Sequence, residues 1–195
     1  MDSPDYYTKE TLVLGCGNIL FGDDGFGPEV ADNLLSNYNI PEDTAVLNLG
    51  LRTRGFIFDI LLSDVRPKLI IIVDAVSYPS DSEPSGRICE GRKPGEIFEI
   101  PLDNLVKEKV DDFSFHQGPT SNLLKELRDI CGVEIVIIAC QPANIPKEIM
   151  QGLSEPLKRA VSQVSDLIYN KYLKHTSDGH GSAISPLSSI PSLSR

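Results

Sequence analysis

Short aliphatic runs alternate with segments of helical periodicity along the first half of the chain. The runs begin at Thr11, Ala45 and Leu69, and segments with an apolar residue every three to four positions follow the first two, from Pro28 and from Phe56. Strands buried on both faces of a parallel sheet have this continuous aliphatic character, and helices return the chain between them. The repeated strand–helix units therefore predict an α/β fold with a largely parallel sheet.

The second half of the chain departs from this pattern. Residues 77–94 are rich in proline, glycine and serine without an apolar period, so we expect a long exposed loop. Residues 95–100 alternate apolar and charged side chains and follow no crossover helix, which predicts an antiparallel strand at the sheet edge. A helix at 121–131, a last strand at 133–139 and a terminal helix from Ser154 complete the pattern. We predict a three-layer α/β domain whose mostly parallel, mixed five-stranded sheet is flanked by helices.

The length of 195 residues fits one domain. We predict an N-terminal extension at 1–10, a single α/β domain at 11–174 and a disordered tail at 175–195, where serine and proline replace any apolar period. The histidines of the tail, His175 and His180, are not interpreted as metal ligands.

Charge and composition exclude several classes of partner. Eighteen basic and 28 acidic residues give a formal net charge of −10, which repels nucleic acid and anionic membrane surfaces. No apolar run approaches the length of a membrane span, and the acidic, polar N-terminus does not resemble a secretory signal, so we expect a cytoplasmic protein. Cys16, Cys131 and Cys140 lie in apolar stretches and are interpreted as buried reduced thiols. The sequence leaves the oligomeric state open.

A glycine-rich segment, 15–27, connects the first strand to the first helix. Dinucleotide-binding proteins hold a pyrophosphate at this place, but Leu20 replaces the third glycine, and Asp23 and Asp24 would repel a phosphate. A nucleotide-binding regulator is therefore disfavoured. Asp23 is explained as a helix cap or turn residue, whereas a second carboxylate beside it, Asp24, suggests a cation or a reaction.

Two further residues are predicted to share a crevice with Asp24. Asp74 ends an aliphatic run, where a carboxylate is costly unless it emerges at the sheet edge or has a partner. His116, the one histidine outside the tail, lies in the loop before a predicted helix. Two oxygens and one nitrogen suit zinc or nickel, and two carboxylates also suit acid–base catalysis.

Two alternatives stay open for these residues. His116 could be a packed or capping residue. It could also activate the thiol of Cys16, although a cysteine that ends an apolar strand is usually a small buried hydrophobe.

At these residues the sequence resembles the hydrogenase maturation endopeptidases, which trim the C-terminus of a nickel hydrogenase large subunit. Residues 14–27 are similar to the opening signature of the family, 72–76 to the second and 114–117 to the third. The resemblance extends over about residues 10–172 and is strongest to the branch that serves the coenzyme F-420-reducing hydrogenases of methanogenic archaea.

The resemblance implies an aspartyl-type endopeptidase that removes the C-terminal extension of a nickel-iron hydrogenase large-subunit precursor after nickel insertion. Nickel, supplied by the precursor, would be the recognition element, and Asp24, Asp74 and His116 would contact it and serve as the catalytic residues. A non-catalytic maturation chaperone that senses nickel in the precursor is the alternative.

Two positions depart from the family pattern. Glutamate is frequent where Asp24 stands, so the carboxylate here reaches about 1.5 Å less far. In the loop after the second strand, which the resemblance places near the substrate, Asn48 replaces an aspartate and Leu51 a threonine, and Gly50 is kept. Asn48 is therefore not assigned a catalytic role.

Overall fold

The computed structural model describes residues 5–77, 92–104 and 118–174. They form five strands, namely β1 (Thr11–Cys16), β2 (Thr44–Gly50), β3 (Leu69–Ala75), β4 (Ile97–Glu99) and β5 (Glu134–Cys140). They also form four α-helices, namely α1 (Phe26–Asn37), α2 (Thr53–Leu62), α3 (Gly118–Asp129) and α4 (Glu155–Ile168). A 3-10 turn, Gly22–Gly25, leads directly into α1, and a π-helical turn, Tyr169–Leu173, continues α4.

The strands form one mixed sheet in the order β2-β1-β3-β5-β4. The first four strands in this order are parallel to their neighbours, and β4 pairs antiparallel with β5 at the edge. The predicted five-stranded mixed sheet and its antiparallel edge strand are confirmed. The strand itself is shorter than predicted, Ile97–Glu99, although the backbone of Ile100 also donates to Ile137 of β5 and Gly95 and Glu96 bond to Gln141 just after it.

Helices cover both faces of the sheet, which confirms the three-layer fold. Helices α1 and α4 pack on one face, and α2 and α3 pack on the other. Strand β3 shows why its sequence is uniformly aliphatic: Ile71 and Val73 face α1 and α4, whereas Ile70 and Ile72 face α2 and α3. Both sets of side chains are buried, as expected for a central parallel strand.

The helices begin earlier than the hydrophobic period predicts. Helix α2 starts at Thr53 instead of Phe56, and α3 starts at Gly118 instead of residue 121. A buried residue near the start of each helix is polar, Thr53 in α2 and Ser121 in α3, so the apolar period indicates the start too late. Ser121 thus lies inside α3.

Several predictions concern residues outside the described ranges. What was predicted for most of the loop 77–94, for His116 and for the tail 175–195 therefore remains a prediction. Within the described ranges, Asp5–Thr8 forms a 3-10 turn, and the ring of Tyr6 packs 5.3 Å from that of Phe56.

The described cysteines are free thiols, as predicted. Cys16 and Cys140 are buried, but Cys131 is half-buried because it lies at the end of the α3–β5 connection and not in a strand. No helix among the described residues is long and apolar enough to span a membrane.

Candidate functional site

The candidate site lies at the carboxyl ends of β1 and β3. Strand β1 has β2 on one side and β3 on the other, so the strand order changes direction here. Ligands of open α/β sheets bind at such a switch point, because the loops after the two strands leave a crevice. Asp24 lies in the 3-10 turn that follows β1, and Asp74 is the second-last residue of β3. The fold thus brings together two of the three predicted site residues.

Gly17 allows the loop after β1 to fold back onto this edge. Its φ angle is 118°, and a Cβ added here would collide with the carbonyl oxygen of Asp24 and lie 3.5 Å from Oδ1 of Asp74. The Asn18 N–H donates to that carbonyl of Asp24 at 3.0 Å. Only glycine fits between the two acidic residues.

Gly27, at the start of α1, allows a close approach between this helix and the sheet. A Cβ on Gly27 would collide with the carbonyl oxygens of Cys16 and Val73, so its absence lets α1 pack directly on β1 and β3. The glycines of this segment therefore bring backbones close together, which accounts for a glycine-rich loop without a phosphate.

Asp74 is fully buried and only partly satisfied. Its Oδ1 accepts a hydrogen bond of 2.9 Å from the N–H of Ala75, whereas Oδ2 has no hydrogen-bond partner among the described residues. Burial raises the pKa of Asp74 well above its ordinary value, and the nearby charge of Asp24 raises it further against the lowering effect of the Ala75 bond. The side chain of Asp74 is therefore covered and is not exposed at the protein surface.

The unpartnered oxygen of Asp74 differs from the other buried polar atoms without a hydrogen bond in the described structure. These are Oε2 of Glu99 and Oγ of Ser165. The Glu99 oxygen has a cation, Nζ of Lys171, 3.9 Å away, and Ser165 is uncharged. Asp74 instead faces a second carboxylate, which is itself buried. A buried Oδ2 of Asp74 without a hydrogen-bond donor among the described residues, next to a second carboxyl group, is well suited to contact a cation.

Asp23 has the opposite surroundings. Its carboxylate accepts hydrogen bonds from the N–H groups of Ala143, Asn144 and Ser154 at 2.8, 3.1 and 2.7 Å, and from the Ser154 hydroxyl at 3.0 Å. It makes no side-chain cap to the 3-10 turn or to α1. The residue is structural, as predicted, but it fastens the β5–α4 loop instead of capping its own helix.

Cys16 lies beside Asp74 and is buried. The hydroxyl of Thr53 lies 3.2 Å from the Cys16 sulfur, and the sulfur lies 3.6 Å from the Leu14 carbonyl. Burial and then the charge of Asp74 raise the pKa of this thiol, against the lowering effect of Thr53. A thiolate is therefore disfavoured, and the alternative of a cysteine nucleophile loses support. Sequence reasoning missed Thr53, because the apolar period placed the start of α2 at Phe56.

Asn48 is occupied by a structural contact. Its side-chain amide donates to both carboxylate oxygens of Asp32, on α1, at 3.1 and 3.2 Å. An aspartate at this position would repel Asp32, so the departure from the family pattern has a local physical reason.

A complete three-ligand set cannot be formed by the described residues. Among them, no three histidine, cysteine, aspartate or glutamate side chains are grouped to hold a metal ion. His116 lies outside these residues, two positions before the start of α3. Helix α3 packs on the sheet face that Asp74 shares with Cys16 and Ile72.

Comparison with known proteins gives the class. The family model for hydrogenase maturation protease (HycI) matches residues 28–171. A Methanocaldococcus jannaschii protein, named provisionally as a hydrogenase maturation protease, is 34% identical over 85% of this chain and 98% of its own length. The coenzyme F420 hydrogenase subunit delta of Methanothermobacter thermautotrophicus is 30% identical over 85% of this chain and 96% of its own.

A solved structure agrees with these matches. The crystal structure of the [NiFe] hydrogenase maturation protease HycI from Thermococcus kodakarensis is 26% identical, covers 84% of this chain and 91% of its own, and superposes with a TM-score of 0.60. The chain therefore belongs to the hydrogenase maturation protease family. The predicted family and the predicted peptidase activity are confirmed, as is the relation to F420 hydrogenase proteins.

Proposed function

We propose that this protein is an endopeptidase that removes the C-terminal extension of a nickel-iron hydrogenase large-subunit precursor after nickel insertion, with the bound nickel as the recognition element. Nickel is part of the substrate in this proposal. The observation that carries it is the buried Oδ2 of Asp74, which has no hydrogen-bond partner among the described residues and lies next to Asp24.

The chemistry of this pair fits a cation that arrives with the substrate. Keeping a carboxylate oxygen buried without a donor costs free energy, which a divalent cation or a proton can offset. We propose that Asp24, Asp74 and His116 contact the nickel of the precursor, and that an oxygen, oxygen, nitrogen set without a thiolate binds it too weakly to extract it.

The same three residues are proposed as the catalytic group. Two carboxyl groups held next to each other are the arrangement that aspartyl-type peptidases use to activate water. The raised pKa of Asp74 beside Asp24 supports this role. A cytoplasmic location remains a prediction.

The direct test is to incubate the purified protein with nickel-loaded and with metal-free precursor and to weigh the products by mass spectrometry. We expect the nickel-loaded precursor alone to be shortened. Nickel added to the enzyme should not replace loading of the precursor. Cleavage of metal-free precursor at the same rate would contradict the role of nickel as the recognition element. Binding without any shortening would favour the non-catalytic chaperone.

A further inference from the structure

Four exposed apolar side chains lie on the two loops that border the candidate site. Ile19 and Leu20, between β1 and α1, are 53% and 37% exposed, and Ile149 and Met150, between β5 and α4, are 72% and 49% exposed. We refer to these four residues as the apolar rim. Large apolar side chains grouped on a protein surface are typical of sites that bind another protein.

The two loops of the apolar rim are bound to each other. The N–H of Gly22 donates to the carbonyl of Met150 at 2.6 Å, and the N–H of Met150 donates to the carbonyl of Leu20 at 2.9 Å. Phe21 and Met150 form a parallel β-bridge. Asp23 fastens the second loop at three further backbone groups. The backbone that carries the exposed side chains is thus held in place before any partner binds, which lowers the entropy cost of binding.

The apolar rim is continuous with the candidate site. The N–H of Asp24 donates to the carbonyl of Phe21 at 3.2 Å, and the carbonyl of Asp24 accepts from Asn18. A Cβ on Gly25 would lie 3.1 Å from Cα of Ile19. The loop that carries Ile19 and Leu20 therefore also carries Asp24, so a macromolecule that brings a group to Asp24 comes close to the apolar rim.

A cavity of about 310 Å³ opens beside the apolar rim. Met150, Gly152 and Leu153 supply part of its lining, and Asn144 and Lys158 supply polar groups. Its volume is that of a small binding pocket, and protein interfaces commonly insert one anchoring side chain into such a pocket.

We infer that the apolar rim docks the folded hydrogenase precursor and that the cavity receives one of its side chains. The inference rests on the proposed function, because that function makes the substrate of this site a protein. None of the four rim residues is among the proposed catalytic residues, so the rim contributes to holding the precursor and not to the chemical step.

The test compares two isoleucines of similar exposure. Ile149→Asp changes the apolar rim, and Ile130→Asp changes a residue that is 78% exposed at the far end of α3, near the amino ends of the strands. For cleavage of nickel-loaded precursor, we expect Ile149→Asp to raise KM roughly tenfold with little change in kcat. Ile130→Asp should match the wild type. Binding of metal-free precursor, measured by biolayer interferometry, should weaken by the same factor only for Ile149→Asp.

The outcomes separate this inference from the proposed function. Equal KM and equal binding for the two variants would overturn the docking role while cleavage by the wild type still supports the proposed function. If the wild type binds but never shortens the precursor, the proposed function fails, and weaker binding by Ile149→Asp still supports the docking surface. A loss of self-association in Ile149→Asp with unchanged precursor binding would show that the rim contacts a second copy, and would overturn the inference.

Discussion

Asp23 and Asp74 are two buried carboxylates at the same edge of the sheet, and their surroundings are opposite. Asp23 accepts four hydrogen bonds from the β5–α4 loop, whereas Asp74 accepts one and has an oxygen without a partner among the described residues. A satisfied buried carboxylate stabilises a fold, and an unsatisfied one destabilises it. The difference indicates that Asp23 holds the loops of the site, and it supports the proposal that Asp74 contacts the substrate.

The largest effect is expected on processing. Asp74→Ala, Asp24→Ala and His116→Ala should each lower the cleavage rate of nickel-loaded precursor by about a hundredfold or more, since each removes a proposed contact to nickel. Far-UV circular dichroism should be unchanged. Asp64→Ala, at an exposed position before β3, is the matched control and should process normally. Wild-type cleavage rates in any two of the three site variants would contradict the assignment of these residues as nickel contacts.

The second prediction concerns the free energy of unfolding, which should depend on Asp23 and not on Asp74. Asp23→Ala leaves the donors of Ala143, Asn144 and Ser154 without their acceptor, so we expect the free energy of unfolding to fall by about 3 kcal/mol. Urea unfolding measures this change. Asp74→Ala should show no comparable loss. An equal loss for both variants would remove the distinction drawn between them.

The third effect is the pH dependence of stability in the absence of precursor. The folded protein holds the proton of Asp74 more tightly than the unfolded chain does, because its pKa is raised above the ordinary 3.8. Unfolding therefore releases this proton between the two pKa values, and stability falls as the pH rises from about 4 through the raised pKa.

Asp74→Asn removes this group from the titration. Its Tm should exceed that of the wild type by about 3 °C or more at neutral pH, and the difference should shrink as the pH is lowered toward 4. Differential scanning calorimetry at several pH values gives the comparison. A wild-type protein that is the more stable of the two at neutral pH would show that the buried carboxylate has a partner.

The smallest effect on processing is expected from Cys16→Ala. The thiol is buried beside Asp74 and its pKa is raised, so it should not act as a nucleophile. The cleavage rate should stay within about twofold of the wild type, with a loss of stability of about 1–2 kcal/mol from the buried cavity. Complete loss of cleavage in a folded variant would restore the thiol mechanism.

The sequence predicted much of the fold because the central strands are buried on both faces. The aliphatic run at Leu69 and the glycine-ended run at Thr11 are typical of strands covered on both sides, and both strands begin where predicted. The antiparallel edge strand followed from the absence of a crossover helix. Helix starts were placed too late, because the buried residues near the starts of α2 and α3, Thr53 and Ser121, are polar and do not show in an apolar period.

The site was predictable only in part. The meeting of Asp24 and Asp74 follows from parallel strands that end at one edge, so it could be deduced from residue positions. The four bonds of Asp23 could not, since they join residues more than 100 positions apart in the chain. The contact between Asn48 and Asp32 depends likewise on how α1 packs beside β2, which no local pattern specifies.

The central claim is that the free oxygen of Asp74 contacts the nickel carried by the precursor. Nickel K-edge X-ray absorption of nickel-loaded precursor, frozen immediately after mixing with enzyme, tests this contact directly. We predict that wild-type enzyme adds an oxygen or nitrogen neighbour to the nickel and that Asp74→Ala adds fewer, while Asp64→Ala behaves as the wild type. A nickel spectrum that changes equally with wild-type enzyme and with Asp74→Ala would contradict the claim.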